Sequence, residues 1–91
     1  MQFTWDQKKA VSNRRKHAVT FEKAMEVFSD PHASIFDDPD HSALERREII
    51  VGMSQNRLLL VSFTERHGII RIISARRTTA RERKHHEENK S

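Results

Sequence analysis

The strongest constraint on the fold is a run of three apolar segments between residues 48 and 77. The segments read EIIVGMS, RLLLVSFTE and GIIRIISARR, and turn-like residues separate them at 54–56 and 66–68. Apolar side chains that alternate or run continuously over roughly four to eight residues are typical of β-strands, and short loops join antiparallel neighbours. The sequence therefore predicts a three-stranded antiparallel meander at the centre of the fold.

Two helices are predicted before the meander. Residues 3–5 form a short apolar segment that favours an edge strand, and Asp6 is placed to cap a helix that runs to about His17. Thr20 offers a second cap, and Pro31 ends the helix that follows it. The side chains of that second helix that share one face are Phe21, Ala24, Met25 and Phe28. This stripe is interpreted as core.

The remaining segments are more polar. Residues 34–36 have weak strand potential, and the acidic, turn-rich stretch that continues to Arg47 predicts a mobile loop. A capping box from Thr79 to Glu82 starts a tail helix in which Ala80 is the single apolar residue. Because a helix without an apolar stripe has nothing to bury, we expect this one to be partly disordered or to be ordered by a partner.

Length and composition limit the fold class. At 91 residues, with 35% hydrophobic residues, the chain has room for one thin core. We predict a single α+β domain over residues 1–91, in which a small antiparallel sheet packs against two N-terminal helices and residues 79–91 form a polar helix or tail. The absence of cysteine excludes disulfides, thiolate zinc sites and nucleophilic thiols. No apolar run matches a signal peptide or a membrane span, so we expect no membrane contact and a cytoplasmic protein.

The positive charge is concentrated in the last third of the chain. Residues 1–63 contain nine basic and nine acidic side chains, whereas residues 64–91 contain eight basic and four acidic ones, and the net charge is +4. Cations gathered in one region attract a polyanion better than the same charge spread evenly, because each phosphate contact releases counterions. An ordinary solvated surface is the alternative interpretation.

The end of the third strand is the predicted phosphate site. Strict alternation places Arg71, Ile73 and Ala75 on one face and Ile70, Ile72, Ser74 and Arg76 on the other. A strand end that leads into a capped helix suits a phosphate, which guanidinium groups bind in bidentate fashion. We predict that Arg71, Arg76 and Arg77 gather into one anion-binding cluster supported by Arg83. The alternative is that these arginines pair with the acidic side chains of residues 30–45.

Three segments, taken together, resemble the BrnT toxin family. They read FTWDQKKAVSNRRKHAVTFEKAMEVFSDP, DDPDHSALERREIIVGMS and RLLLVSFTERHGIIRIISARRTTARER, and the resemblance as a whole runs from Phe3 to about Glu88. The resemblance implies a RelE-like fold and a metal-independent endoribonuclease that halts translation. Where family members often carry a tyrosine near position 86, this chain has His86, and where a glycine commonly follows the KH pair it has Ala18.

The same resemblance implies partners. A BrnA-like antitoxin with a ribbon-helix-helix part is expected to sequester the toxin, in a heterotetramer of two toxins and two antitoxins, and to carry it to operator DNA. Two alternatives stay open from the residues themselves. One is a non-catalytic basic module that binds nucleic acid or an acidic protein, and the other is an inactive toxin that serves only in co-repression.

Metal-free RNA cleavage requires a base for the 2′-hydroxyl, cations around the phosphorane and an acid for the leaving oxygen. The candidates for proton transfer are Glu65, His17, His41, His67, His85 and His86. We favour Glu65 or His86, although Glu65 beside Arg66 also fits a surface ion pair, and histidines in a polar helix are commonly solvated. Further RNA contacts are predicted for Arg66, Arg81, Lys84, Lys16 and His17. No histidine pair has the HxxxH spacing and only two glycines are present, so we predict neither a metal nor a cofactor.

Overall fold

A computed structural model describes residues 1–39 and 46–89. The elements in chain order are β1 (Gln2–Trp5), α1 (Gln7–His17), α2 (Phe21–Val27), β2 (Ser34–Asp37), β3 (Glu48–Ser54), β4 (Arg57–Arg66), β5 (Ile69–Arg77) and α3 (Ala80–Asn89). The fold is α+β, as predicted. Part of the acidic stretch, with His41, lies outside the described residues. No helix within the described ranges is both long enough and apolar enough to cross a membrane.

The strands form one mixed sheet in the order β1-β5-β4-β3-β2. The predicted meander of β3, β4 and β5 is confirmed, and β2 pairs with β3 in antiparallel fashion. The prediction of a purely antiparallel sheet is wrong at one edge, where β1 lies parallel to β5 with Phe3 opposite Ile70. A parallel pair needs a long connection, and here the rest of the fold provides it. The local sequence carries no signal for that pairing.

The core lies between α2 and one face of the sheet. The predicted stripe on α2 is confirmed, since Phe21 and Ala24 are fully buried and Met25 and Phe28 pack against the same cluster. The ring of Phe28 makes edge contacts with Phe3 and Phe63, at centroid distances of 5.2 Å and 5.0 Å. We call this side of the sheet the helix face and the opposite side the open face.

Both predicted N-caps are confirmed. The carboxylate of Asp6 accepts hydrogen bonds from the backbone N–H groups of Lys8 and Lys9, at 2.8 Å and 3.2 Å, and the hydroxyl of Thr20 accepts one from Lys23 at 3.2 Å. Helix α1 ends at Ala18, which adopts the left-handed conformation with φ 57° and ψ 30°. A side chain with a Cβ atom is strained in that region, which is why glycine is the usual residue there.

The substitution Ala18→Gly is expected to stabilise the protein. Removing the Cβ atom relieves a left-handed strain of about 1–2 kcal/mol, and the greater freedom of glycine in the unfolded chain offsets part of that gain. We expect the free energy of unfolding to rise by about 0.5–1 kcal/mol in urea titrations. The matched control is Ser12→Gly, at an exposed position within α1, and this change is expected to destabilise the protein instead. A less stable A18G protein would contradict this interpretation.

Asn13 fastens α1 to the sheet from a buried position that the sequence analysis did not single out. It is 5% exposed, and its Nδ2 donates to the carbonyl oxygens of Val19 at 3.0 Å and Ala75 at 2.8 Å. Its Oδ1 accepts the backbone N–H of Ala75 at 3.0 Å. One side chain therefore satisfies three backbone groups and joins the end of α1 to the last part of β5.

A β-bulge changes the facing of side chains along β5. Ser62 lies opposite Ser74, but the next residue of β4, Phe63, lies opposite Ile72, so Ile73 has no partner of its own. The strict alternation predicted for β5 is therefore wrong beyond Ile72. The side chains on the helix face are Ile70, Ile72 and Ala75, which belong to the core. The side chains on the open face, with Thr64, Ser62 and Leu60 as their cross-strand partners, are Arg71, Ser74 and Arg76.

Helix α3 lies against the open face and is held by polar contacts. Its predicted capping box is confirmed: Thr79 Oγ1 accepts from the N–H of Glu82 at 3.1 Å, and Glu82 Oε1 accepts from the N–H of Thr79 at 2.9 Å. Glu82 also pairs with Arg76, and His86 shares a hydrogen bond with Ser34. The expectation that α3 needs a partner to order it is therefore wrong, because polar contacts within the chain replace the missing apolar stripe.

Candidate functional site

The open face and one side of α3 enclose a cleft of about 760 Å³, which we call the α3 cleft. Its floor is apolar at one end and hydroxylic at the other, and consists of Ile49, Val51, Leu60, Ser62 and Ser74. Its rim on the β2 side consists of Ser34, Phe36, Asp38 and Pro39. Its wall on the other side consists of Arg76, Arg81, Glu82, His85, His86 and Asn89. Cations and imidazoles thus lie beside an apolar surface.

Helix α3 presents two adjacent stripes to the cleft. Arg81, His85 and Asn89 follow one another at a spacing of four residues and line its opening, and Asn89 Nδ2 lies 3.1 Å from His85 Nε2. Glu82 and His86 form the neighbouring stripe, which contacts the sheet. The first stripe is free to meet a ligand because the second one anchors the helix.

The two adjacent histidines of α3 differ in environment. His86 is 6% exposed, and its Nδ1 lies 2.9 Å from Ser34 Oγ, whereas His85 is exposed. The alternative interpretation, that the histidines of this polar helix are solvated, is therefore wrong for His86. Burial of His86 had no signal in the sequence, because a stripe made of one carboxylate and one imidazole does not look like a buried face.

Arg76 forms a bidentate ion pair with Glu82. Its two terminal nitrogens donate to the two carboxylate oxygens, each at 2.8 Å, and one of them also donates to the carbonyl oxygen of Arg77 at 3.2 Å. These hydrogen bonds raise the pKa of Arg76 and lower the pKa of Glu82 to about 2. Arg76 is thus neutralised by α3, and not by the acidic stretch that the sequence suggested.

Acidification is expected to weaken the anchor of α3. The folded-state pKa of Glu82, about 2, lies below its ordinary value of 4.5, so the pair contributes stability above pH 4.5 and that contribution disappears as the pH falls toward 2. Because both side chains are partly exposed, we expect a contribution of about 1 kcal/mol.

The measurement compares urea unfolding of the wild-type protein and Glu82→Gln at several pH values. Other carboxylates titrate in both proteins, so the difference between the two curves reports Glu82. We expect the wild-type protein to be more stable at neutral pH and the difference to vanish near pH 2. A difference that does not change with pH would contradict the assigned ion pair.

The predicted cluster of three arginines does not converge. Arg76 lines the α3 cleft, Arg71 lines a second cleft at the other end of the sheet, and Arg77 lies opposite Leu59, which faces the helix layer. Arg83 lies beside His86 in a small neighbouring cavity, and Lys84 is exposed on α3. The prediction of one shared anion site is wrong because Arg71 and Arg76 lie five residues apart along β5, Arg76 is bound to Glu82, and Arg77 is on the other side of the sheet.

The second cleft has a volume of about 600 Å³ and lies at the β4–β5 hairpin, so we call it the hairpin cleft. It is lined by Thr4, Arg46, Thr64, Glu65, Arg66, His67, Ile69 and Arg71. Glu65 thus lies away from Arg76 and the histidines of α3. Lys16 and His17 are exposed in the last turn of α1. The predicted site residues therefore divide among the two clefts and the helix layer.

Several of these cations carry no opposing charge. Within residues 1–39 and 46–89, no ion pair involves Arg66, Arg71, Arg81, Arg83 or Lys84. In the same ranges no three His, Asp or Glu side chains converge as metal ligands. The two clefts thus contain the cations Arg66, Arg71 and Arg81 without a paired carboxylate in these ranges, an arrangement that suits a polyanion.

A comparison with family profiles matches residues 5–82 to the family described as ribonuclease toxin, BrnT, of type II toxin-antitoxin system. The chain belongs to the BrnT family. Membership in this family of ribonuclease toxins implies that RNA is the substrate and that an antitoxin is the partner. The BrnT match ends in the first turn of α3, so it includes Arg76 and Arg81 but not the two histidines. A comparison with curated proteins finds no match.

Proposed function

We propose that the α3 cleft is the site at which this toxin cuts RNA, without a metal ion. The observation that carries the proposal is the meeting, in one cleft, of three groups: the guanidinium of Arg81, which forms no ion pair within the described residues, an exposed imidazole on His85, and an apolar floor. Electrostatic stabilisation, proton transfer and base binding each need one of these groups.

The chemistry follows from the positions of these groups. A base takes the proton of the 2′-hydroxyl, the 2′ oxygen attacks phosphorus, the bond to the 5′ oxygen breaks, and an acid protonates that oxygen. The products are a 2′,3′-cyclic phosphate and a 5′-hydroxyl. Arg81 balances the negative charge of the phosphorane, with Arg76 at the sheet side of the cleft.

The imidazoles of His85 and His86 are the groups suited to proton transfer. Imidazole both accepts and donates protons near neutral pH, whereas the lowered pKa of Glu82, about 2, makes its carboxylate a weak base. Of the two candidates favoured by the sequence, His86 fits better than Glu65. Glu65 lies five residues along β4 from Leu60, the cross-strand partner of Arg76, which is roughly 16 Å.

Apolar side chains in the cleft offer a place for a nucleobase. Phe36 is 45% exposed at the rim, and Ile49, Val51 and Leu60 form the floor beside it. Unstacked bases of single-stranded RNA bind to aromatic and apolar side chains in this way. The geometry therefore favours a single strand with a splayed base over a duplex.

Incubation of the purified toxin with single-stranded RNA in the presence of a chelator tests the proposal. We expect discrete fragments with 2′,3′-cyclic phosphate and 5′-hydroxyl ends. Fragments that carry 5′-phosphates, or cleavage that needs added metal, would contradict the mechanism. Retention of RNA without cleavage would favour the non-catalytic binding module.

The finer family properties belong to the same proposal. We infer a RelE-like toxin that acts in the cytoplasm, is neutralised by a BrnA-like ribbon-helix-helix antitoxin in a two-plus-two heterotetramer, and reaches operator DNA only through that antitoxin. Family membership and the excess of basic residues support this assignment. Co-expression with the product of the neighbouring reading frame is expected to yield that heterotetramer by light scattering and to abolish RNA cleavage.

A further inference from the structure

We infer that the hairpin cleft is a second phosphate-binding site, which holds the RNA strand at a distance from the bond that is cut. The inference rests on the proposed function of the α3 cleft and adds that the substrate is a single strand of several nucleotides. The ligand at the hairpin cleft is the phosphodiester backbone of that strand.

Two arginines of the hairpin cleft point to the open face. Arg71 lies opposite Thr64 and Arg66 lies opposite Ile69, and alternation along β4 puts Thr64 and Arg66 on the same side as Leu60. Both arginines are exposed, and neither forms an ion pair within the part of the chain that the structure describes. Two guanidinium groups without counter-charges make a local excess that a phosphate group would neutralise.

The acidic groups near this cleft do not cancel that excess. Glu65 also lines this cleft, but it lies opposite the buried Ile70, so its side chain is on the helix-face side of the strand, and within the described residues no ion pair joins it to Arg66 or Arg71. Asp37 pairs with Arg46 at 3.5 Å, which accounts for the third arginine of the cleft. The charge that remains is that of Arg66 and Arg71.

A polar track connects the two clefts. Ser62 lies opposite Ser74, and these residues stand between Arg76 in one cleft and Arg71 in the other, with Thr64 beyond them on the same face. The bulge at Ile73 is what brings Arg71 and Arg76 to one face, since strict alternation would separate them. Arg71 and Arg76 are five positions apart along β5, which is a distance of roughly 16 Å and longer than one nucleotide.

The lining of the hairpin cleft favours backbone over base as the ligand. Among the described residues its lining contains no Phe or Trp and one imidazole, that of His67, in contrast to the α3 cleft with Phe36 at its rim. Guanidinium and hydroxyl groups bind phosphate oxygens, whereas base recognition needs stacking surfaces. We therefore expect binding here to be independent of base identity and sensitive to salt.

The test measures binding of uncleavable RNA, so that it does not depend on catalysis. The probes are 2′-O-methyl oligoribonucleotides, one a dinucleotide and one a strand of about ten nucleotides. The variant is Arg66→Gln with Arg71→Gln. The control is Arg15→Gln with Arg57→Gln, which removes the same charge from exposed positions outside both clefts.

We expect the Arg66 and Arg71 double variant to bind the long strand about 10-fold more weakly than the control. The slope of the logarithm of its binding constant against the logarithm of the salt concentration should be shallower by about 1.4, or about 0.7 for each lost phosphate contact. The dinucleotide is expected to bind both proteins equally. Equal binding of the long strand by both proteins would overturn the second site, and so would weaker dinucleotide binding, because the cleft would then belong to the cutting site itself.

The same experiment separates this inference from the proposed function. If the wild-type protein cuts no RNA but the double variant still binds the long strand more weakly than the control does, the second site stands and the cutting mechanism fails. If the wild-type protein cuts RNA and the double variant binds the long strand as tightly as the control does, the second site alone is overturned.

Discussion

Replacing Arg81 with glutamine is expected to slow RNA cleavage by about 100-fold, because one cation that stabilises the phosphorane is lost. Arg81 is the suitable position because it is exposed and lines the α3 cleft without an ion pair in the described part of the chain. Its removal therefore leaves no buried charge behind. The measurement is the single-turnover rate on a short RNA, together with the melting temperature.

Arg15→Gln is the matched control. Arg15 is exposed on α1 and lines neither cleft, and its replacement changes the net charge by the same amount. We expect a cleavage rate within a few-fold of the wild-type protein and an unchanged melting temperature in both variants. Equal rates for the two variants would move the cutting site away from this wall of α3.

Arg76 is a less informative position for the same question. Its guanidinium is bound to Glu82 through two hydrogen bonds of 2.8 Å, so Arg76→Ala would release α3 as well as remove a cation. Glu82→Gln distinguishes the two effects. Reduced cleavage in both variants indicates that the ion pair positions α3, whereas reduced cleavage in the Arg76 variant alone indicates direct contact with the phosphate.

Local patterns predicted much of the fold. The strands β3, β4 and β5, the caps at Asp6 and Thr20, and the capping box at Thr79 all depend on side chains that are close in the sequence. Their energies come from hydrogen bonds or burial within a few residues, which is why spacing is enough to locate them. The family resemblance rested on three segments that follow one another along the chain, and the match over residues 5–82 confirms it.

The arrangement of the site was less predictable, because long-range contacts set it. The face to which Arg76 points depends on the bulge at Ile73. Two residues after that bulge, the backbone of Ala75 is bound by the side chain of Asn13. These partners are 62 residues apart in sequence. The position of α3 depends in the same way on a contact of His86 with Ser34, 52 residues away. Neither pair leaves a periodic signal.

The substitution Asn13→Leu is expected to cause the largest loss of stability. Leucine has a similar size but leaves the N–H and carbonyl of Ala75 and the carbonyl of Val19 without their partner in a buried site. Unpaired buried polar groups cost about 1–3 kcal/mol each, and partial relaxation brings the expected total to about 3 kcal/mol. In a protein of this size, that corresponds to a melting temperature lower by roughly 10–20 °C.

Loss of Asn13 is also expected to act on the open face. The amide of Ala75 is the backbone group that Asn13 holds beside the bulge, and Arg76 follows it directly. We therefore expect faster hydrogen exchange at the amide of Ala75 in Asn13→Leu than the global loss of stability explains, and weaker RNA binding at a temperature where the variant is still folded. Ser12→Ala changes an exposed neighbour on α1. It should alter the free energy of unfolding by no more than about 0.5 kcal/mol and leave RNA binding and hydrogen exchange at Ala75 unchanged. An Asn13→Leu protein as stable as the Ser12 variant would show that the bulge is held by strand pairing alone, and the common facing of Arg71 and Arg76 would then need a different cause.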